Sequence, residues 1–219
     1  MSRVAAAALV LLALAAGRGE AADPKLLFHA RRASMAQPCQ ASLTRCQDAV
    51  VLGQLYAPNG AGNYYVYLVA AQVDPAEGLS SVHFSIDYDA VTVSGVDLFS
   101  WNLCADAQEP GSGWYQEAHS TNRLLWNAET CPRDSLVVGG YFYMTCYTHS
   151  FLTVGPIDEA NPATVRNCSG QDVSLPQSAL GHVAFGSTGG CNPCLGPCDK
   201  VAVRPTTWSG IKTLSNPRR

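Results

Sequence analysis

The chain has 219 residues, 47% of them hydrophobic and 14% charged, with a net charge of −3. That length buries a real core in one medium domain or two small ones, and low charge with high apolar content excludes a disordered chain. A mildly acidic chain also lacks the basic face of a nucleic-acid binder, so no nucleic-acid partner is expected.

Residues 1–21 read as a secretory signal peptide. Arg3 supplies a positive start, Val4 to Ala16 is an unbroken apolar run, and small residues follow near Gly19 and Ala21. The 13 apolar residues fall short of the roughly 20 that span a bilayer, so no transmembrane anchor is expected after signal removal. Cleavage after Ala21 or Ala22 removes two basic residues and one acidic residue, which turns a net of −3 into −4. The expected product is secreted, extracellular or held at the cell surface.

Residues 22–49 read as a polar N-terminal extension with Arg31, Arg32, Cys39 and Cys46. Residues 50–190 carry β-rich runs between turn residues. Val50 to Tyr56 stops at Pro58-Asn59-Gly60, and Tyr64 to Ala71 (YYVYLVAA) reads as a strand buried nearly throughout. In Val82 to Asp89, Val82, Phe84, Ile86 and Tyr88 point one way, while His83, Ser85, Asp87 and Asp89 point the other. That alternation means one face in the core and one in water. Val91-Thr92-Val93, Leu98 to Leu103, Leu124-Leu125-Trp126, Leu136 to Tyr147, Phe151 to Val154 and Gly181 to Phe185 follow. Residues 191–219 form a Cys-rich loop and a C-terminal tail in which Trp208, Ile211 and Leu214 recur at every third position. Short strands roughly ten residues apart, with no sustained helical period in the mature chain before its extreme C-terminus, predict an all-β fold. The expected architecture is an antiparallel β-sandwich, Ig-like or cohesin-like, with disulfides and long loops.

Export decides how the nine cysteines are read. In an oxidising compartment Cys39, Cys46, Cys104, Cys131, Cys168, Cys191, Cys194 and Cys198 are disulfide candidates, and an odd total leaves at least one thiol free or paired with another chain. Spacing does not fix connectivity; Cys104–Cys131 and Cys39–Cys46 are the expected pairs. His182 with Cys191, Cys194 and Cys198 could form a Cys₃His zinc site, but export, Gly/Pro richness and the lack of a second Cys-x-x-Cys favour disulfides. No metal and no cofactor is expected.

The runs YYVYLVAA, GLSSVHFSIDYD, NRLLWNA, LVVGGYFYMTCY and FLTVGP, in that order, resemble cohesin-like and carbohydrate-binding-module-like sandwiches. Those carry a Gly-x-x-x-x-x-Phe-x-Ile/Leu-x-Tyr-Asp strand, matched here by Gly78 through Asp87 with Asp89. Over residues 50–215 the chain also resembles a family of secreted bacterial proteins that combines such a strand with three further segments. These are Trp101 to Cys104, Gly139 to Tyr143 and Cys191 to Cys194. This resemblance implies a sandwich and brings no activity with it.

Candidate chemistry is sparse. His83, Ser85 and Asp87 share a strand face, but same-face neighbours sit about 6.6–7 Å apart, too far for a nucleophilic relay. Glu109, Glu117 and Glu129 could supply a glycosidase acid/base pair, although nothing fixes their separation. Asp87 and Asp89 lack a calcium-loop pattern, and Asn167-Cys168-Ser169 matches a glycosylation acceptor with a cysteine in its centre. The aromatics are the best functional hint: Trp101, Trp114 and Tyr115 are candidate ligand-binding residues. Trp114 and Tyr115, next to Gly111-Ser112-Gly113, are expected to be exposed. No catalytic residue is assigned. The expected function is an exported, non-enzymatic structural or interaction module with a protein or glycan partner. The alternatives are a carbohydrate-binding module using those aromatics and, behind it, a hydrolase.

Overall fold

Strands form where β-branched and aromatic residues cluster between Gly, Pro, Asn and Asp turns. The structure is a computed structural model that describes residues 23–34, 39–55, 62–90, 95–186 and 189–199. The signal segment, the Pro58-Asn59-Gly60 turn, Val91 to Val93 and the tail with Trp208 lie outside the described residues. In chain order the strands are β1 (Lys25–Arg32), β2 (Leu52–Gly53), β3 (Tyr64–Ala71), β4 (Ser81–Tyr88), β5 (Val96–Leu103) and β6 (Ala107–Pro110). They continue with β7 (His119–Leu125), β8 (Leu136–Cys146), β9 (Ser150–Gly155), β10 (Thr164–Arg166), β11 (Asp172–Ser174) and β12 (His182–Phe185).

Two sheets result. The smaller runs β1-β3-β8-β5, antiparallel throughout. The larger runs β11-β10-β4-β9-β12-β2, with β7 on β4 and β6 on β7; it is antiparallel except for the β12–β2 pair. Their facing sides share one core, in which Phe28, Val66, Phe84, Ile86, Leu124, Phe142, Met144, Leu152, Val154, Val183 and Phe185 are fully buried. The expected two-layer sandwich is the observed architecture, with the alternating residues of β4 as predicted: Val82, Phe84, Ile86 and Tyr88 all point into the core.

The stretch expected to be an extension departs from that reading, because Lys25–Arg32 pairs along all of β3 as the edge strand of the smaller sheet. Its inner residues Leu26, Phe28 and Ala30 join the main core, while outer Leu27 joins a second cluster. That second cluster exists because residues 39–49 lie as a strap across the outside of the smaller sheet, where Ala41, Cys46 and Ala49 pack on Leu27, Tyr67, Val69 and Ala71. The near-continuous burial of β3 is thereby explained: one face meets the core and the other meets the strap. His29 holds the strap's far end, its Nδ1 accepting the Val50 amide at 2.9 Å.

Four disulfides fix the chain, and they overturn both expected pairs. Cys39 bonds Cys104 and Cys46 bonds Cys194, so the strap is covalently pinned near both ends. Cys131 bonds Cys168, and Cys191 bonds Cys198. Cys104 and Cys131 flank one strand-loop-strand region in sequence, but the antiparallel sheets carry each toward a different partner. Gly78 shows how tightly the third bridge is packed. Its φ of +69° suits glycine, and a Cβ there would lie 2.3 Å from Cys168 Sγ. Cys146 is the remaining thiol; it is buried and donates to the Thr148 carbonyl at 3.0 Å, and burial pushes its pKa up to about 12.

Candidate functional site

Of the three aromatics singled out from sequence, Trp114 belongs to the core, and Trp101 and Tyr115 pack against it partly buried. Trp114 is only 8% exposed, which corrects the expectation that it is open to solvent. Gly113, at φ +68°, and Tyr115, at φ +52°, turn the loop so that the indole enters the sandwich. It meets Phe84 edge-on at 5.7 Å, Trp101 edge-on at 5.4 Å and Phe142 at 6.0 Å. Such pairs prefer edge-to-face geometry, and burying an indole outweighs leaving its ring in water. Trp101 and Tyr115 are half-buried against the same core; Trp101 Nε1 donates to Gln108 Oε1 at 2.9 Å. No flat indole face remains at Trp114 for a sugar.

The outer face of the larger sheet is polar, and register brings its groups into rows. His119 on β7, Asp87 on β4, Thr153 on β9 and His182 on β12 are successive cross-strand neighbours. His119 Nδ1 lies 2.8 Å from Asp87 Oδ1, so the carboxylate's partner comes from the next strand and not from His83 along its own. The adjoining row is Thr121, Ser85 and Gly155. Ser85 departs from the wet-face expectation: it is completely buried, and neither its Oγ nor the buried Thr153 Oγ1 has a hydrogen-bond partner among the described residues. Glycine at 155 makes room for this arrangement. A Cβ there would lie 2.6 Å from Ser85 Oγ and 2.9 Å from Asp87 Oδ2. The third row sets Arg123 beside His83, with Glu109 Oε2 3.4 Å from Arg123. Burial, and then the neighbouring Arg123, lowers the pKa of His83, which favours its neutral form.

The remaining sequence candidates are accounted for locally. Cys191, Cys194 and Cys198 all spend their sulfurs on disulfides, and the His182 ring binds the Gly189 carbonyl at 2.6 Å. Asn167 is 4% exposed, its Nδ2 donates to Glu77 and its neighbour Cys168 is bridged, so this acceptor pattern is packed away from a glycosylating enzyme. Glu109 pairs with Arg123, while Glu117 sits in the loop over Gly113, where a Cβ would touch its carboxylate carbon.

Sequence reasoning missed the aromatics that do face outward. Tyr65 and Tyr67 on β3 and Tyr141 and Tyr143 on β8 point away from the core, and β5 adds Phe99 at 48% exposure. Ring centres are 5.4 Å apart for Phe99–Tyr143, 5.7 Å for Tyr143–Tyr65, 5.3 Å for Tyr65–Tyr141 and 5.4 Å for Tyr141–Tyr67. The signal was present as period-2 spacing inside two runs that look uniformly apolar. The strap covers Tyr67, and beside it a cavity of about 450 Å³ opens between strap residues 39–44 and the floor of Val69, Leu136 and Val138.

No family model matches the chain, and no curated protein matches it in sequence. Among solved structures, it is similar to a cohesin module of a family 33 glycoside hydrolase from Clostridium perfringens, with 10% identity and a TM-score of 0.43, over 73% of this chain and 95% of that one. It is likewise similar to the chain matched in a type I cohesin–dockerin complex from Clostridium thermocellum, with 8% identity and a TM-score of 0.46, over 74% and 98% of the two chains. A type II cohesin domain from the cellulosome of Acetivibrio cellulolyticus matches with 9% identity and a TM-score of 0.41, over 71% and 94%.

Proposed function

We propose that this chain is an exported, non-enzymatic interaction module that grips a protein partner at the cell surface or outside the cell, through the outer face of its larger sheet. The observation that carries this reading is the His119–Asp87 pair, held 2.8 Å apart across two strands with side chains 52% and 33% exposed on the outer face. Thr153 continues the same row on β9, and Ser85 lies in the adjoining row on β4. Exposed polar groups held in one geometry by the sheet are ready to take donors and acceptors from a docked chain. Arg123 and Glu109 add charge at one end of the face, the kind of group that sets register and on-rate between proteins. The sheet is a rigid base for such contacts, since β4 is paired along both edges.

The non-enzymatic reading is supported at Cys146, whose buried thiol is held protonated by its surroundings and so is no nucleophile. The experiment is affinity capture with the secreted protein immobilised, comparing wild type with Asp87→Ala and Arg123→Ala. The proposal expects one defined partner protein bound by wild type and lost, or weakened at least tenfold, in both variants. Equal capture by all three proteins refutes this face, and hydrolysis of a substrate abolished by His119→Ala refutes the non-enzymatic reading.

A further inference from the structure

The outer face of the smaller sheet has no part in that reading, and its aromatics form a continuous strip. Arg31, Tyr65 and Tyr143 are cross-strand neighbours from β1 through β3 to β8, and Phe99 stands at the register shift on β5 that follows. Neighbouring strands are about 4.8 Å apart, so the row crosses the sheet in steps close to the length of one sugar ring. The strip is amphipathic: Asn63 Nδ2 donates to the Tyr143 hydroxyl at 2.5 Å, and Asn102 and Ser100 bond each other at 3.1 Å along its border. The strap walls one side of it, pinned by Cys39–Cys104 and Cys46–Cys194.

We infer that this strip, Tyr65, Tyr141, Tyr143 and Phe99, is a binding site for a single polysaccharide chain. Two observations select that occupant. The rings are tilted by 48–80° from one another across Tyr65, Tyr141, Tyr143 and Phe99, which gives a ribbed surface and not the flat plane that a crystalline sugar face requires. The area is also small. Aromatic side chains carry roughly 150–250 Å² each, and three partly buried tyrosines with a half-exposed Phe99 leave roughly 100–400 Å². A standard protein interface needs roughly 800 Å² per partner, so the strip alone is too narrow for a protein and wide enough for a few sugars. Ring faces would take sugar C–H groups, and the phenols, Asn63 and Ser100 would take hydroxyls. The site is independent of the protein-docking face on the other sheet.

The test is titration calorimetry of the secreted, oxidised protein with hexasaccharides of β-1,4-glucan, xylan, mannan, chitin and polygalacturonate. The site predicts binding of at least one, weakened about tenfold or more by the Tyr65→Ala/Tyr143→Ala double variant and unchanged by Asp87→Ala. The Tyr65→Phe/Tyr143→Phe pair keeps the ring faces and retains most of the affinity. Phe99→Ala, which removes a half-exposed ring, weakens binding several-fold and covers the case in which the alanine pair unfolds. Absence of binding to every hexasaccharide, or binding that survives both Tyr65→Ala/Tyr143→Ala and Phe99→Ala, overturns the inference. So does loss of the protein partner on Phe99→Ala without any sugar binding.

Discussion

Replacing Trp114 with alanine separates a core plug from an exposed platform. The indole is 8% exposed and touches Phe84, Trp101 and Phe142 at 5.4–6.0 Å, so alanine leaves a cavity walled by three aromatic rings. Large-to-small changes of this kind cost about 3–5 kcal/mol. Trp114 Nε1 has no hydrogen-bond partner among the described residues, so one unsatisfied donor leaves with the ring and the cost falls toward the lower end. For a domain of this size each kcal/mol lowers Tm by roughly 2–4 °C, which gives a fall of roughly 6–20 °C. Thermal unfolding followed by near-UV circular dichroism, with disulfides intact, measures it. A Tm within about 2 °C of wild type, together with lost sugar binding, would refute the buried position and restore the platform that the Gly-rich loop suggested.

Further outcomes follow from other parts of the fold. Burial, with Arg31 beside it and the Ala41 carbonyl opposing, lowers the pKa of His29 from 6.5 to about 4, and its Nδ1 must stay unprotonated to accept the Val50 amide. The unfolded chain takes up this proton first, so stability is full above about pH 6.5 and falls by about 2–3 kcal/mol as pH drops toward 4. Urea unfolding of wild type and His29→Gln at about pH 7.5 and 4.5 should show the variant with a flatter pH dependence; equal slopes contradict this. The Cys46→Ser/Cys194→Ser pair opens a bridge of sequence separation 148 and should cost about 2–5 kcal/mol, with Tyr67 gaining exposure that acrylamide quenching can read. Gly155→Ala places a methyl against Ser85 and Asp87, so it should displace the Asp87 carboxylate and weaken partner capture, at an overpacking cost of about 1–3 kcal/mol. An unchanged affinity would contradict the role given to that row.

The core was legible because β4 writes its two faces in strict alternation, and because β3 and β8 carry enough aromatic and β-branched residues to define themselves. What escaped reading depends on pieces far apart in sequence. Lys25–Arg32 looks like a charged tail with a short apolar centre, and its outer residues become buried only when the strap closes over them. The wet face assigned to Ser85 failed for a related reason, since its neighbours, Thr121 on β7 and Gly155 on β9, come from other strands and are not encoded by spacing along β4. Trp114 was misplaced because adjacent glycines signal a loop, and a loop's course into or out of the core is set by the space between two sheets. His119 entered the candidate site only through cross-strand register, which spacing along one strand does not encode. The outward tyrosines were legible in principle, from Tyr65, Tyr67, Tyr141 and Tyr143 at alternate positions, but runs so rich in apolar residues hide which side is which.

The separation of a strapped aromatic face from a polar one rests on the cysteine connections, and a non-reducing peptide map of the oxidised protein reads them directly. Linked peptides should join Cys39 to Cys104, Cys46 to Cys194, Cys131 to Cys168 and Cys191 to Cys198, with Cys146 alkylated only after unfolding. A peptide joining Cys39 to Cys46, or Cys104 to Cys131, would unpin the strap from the smaller sheet and contradict the arrangement of both faces.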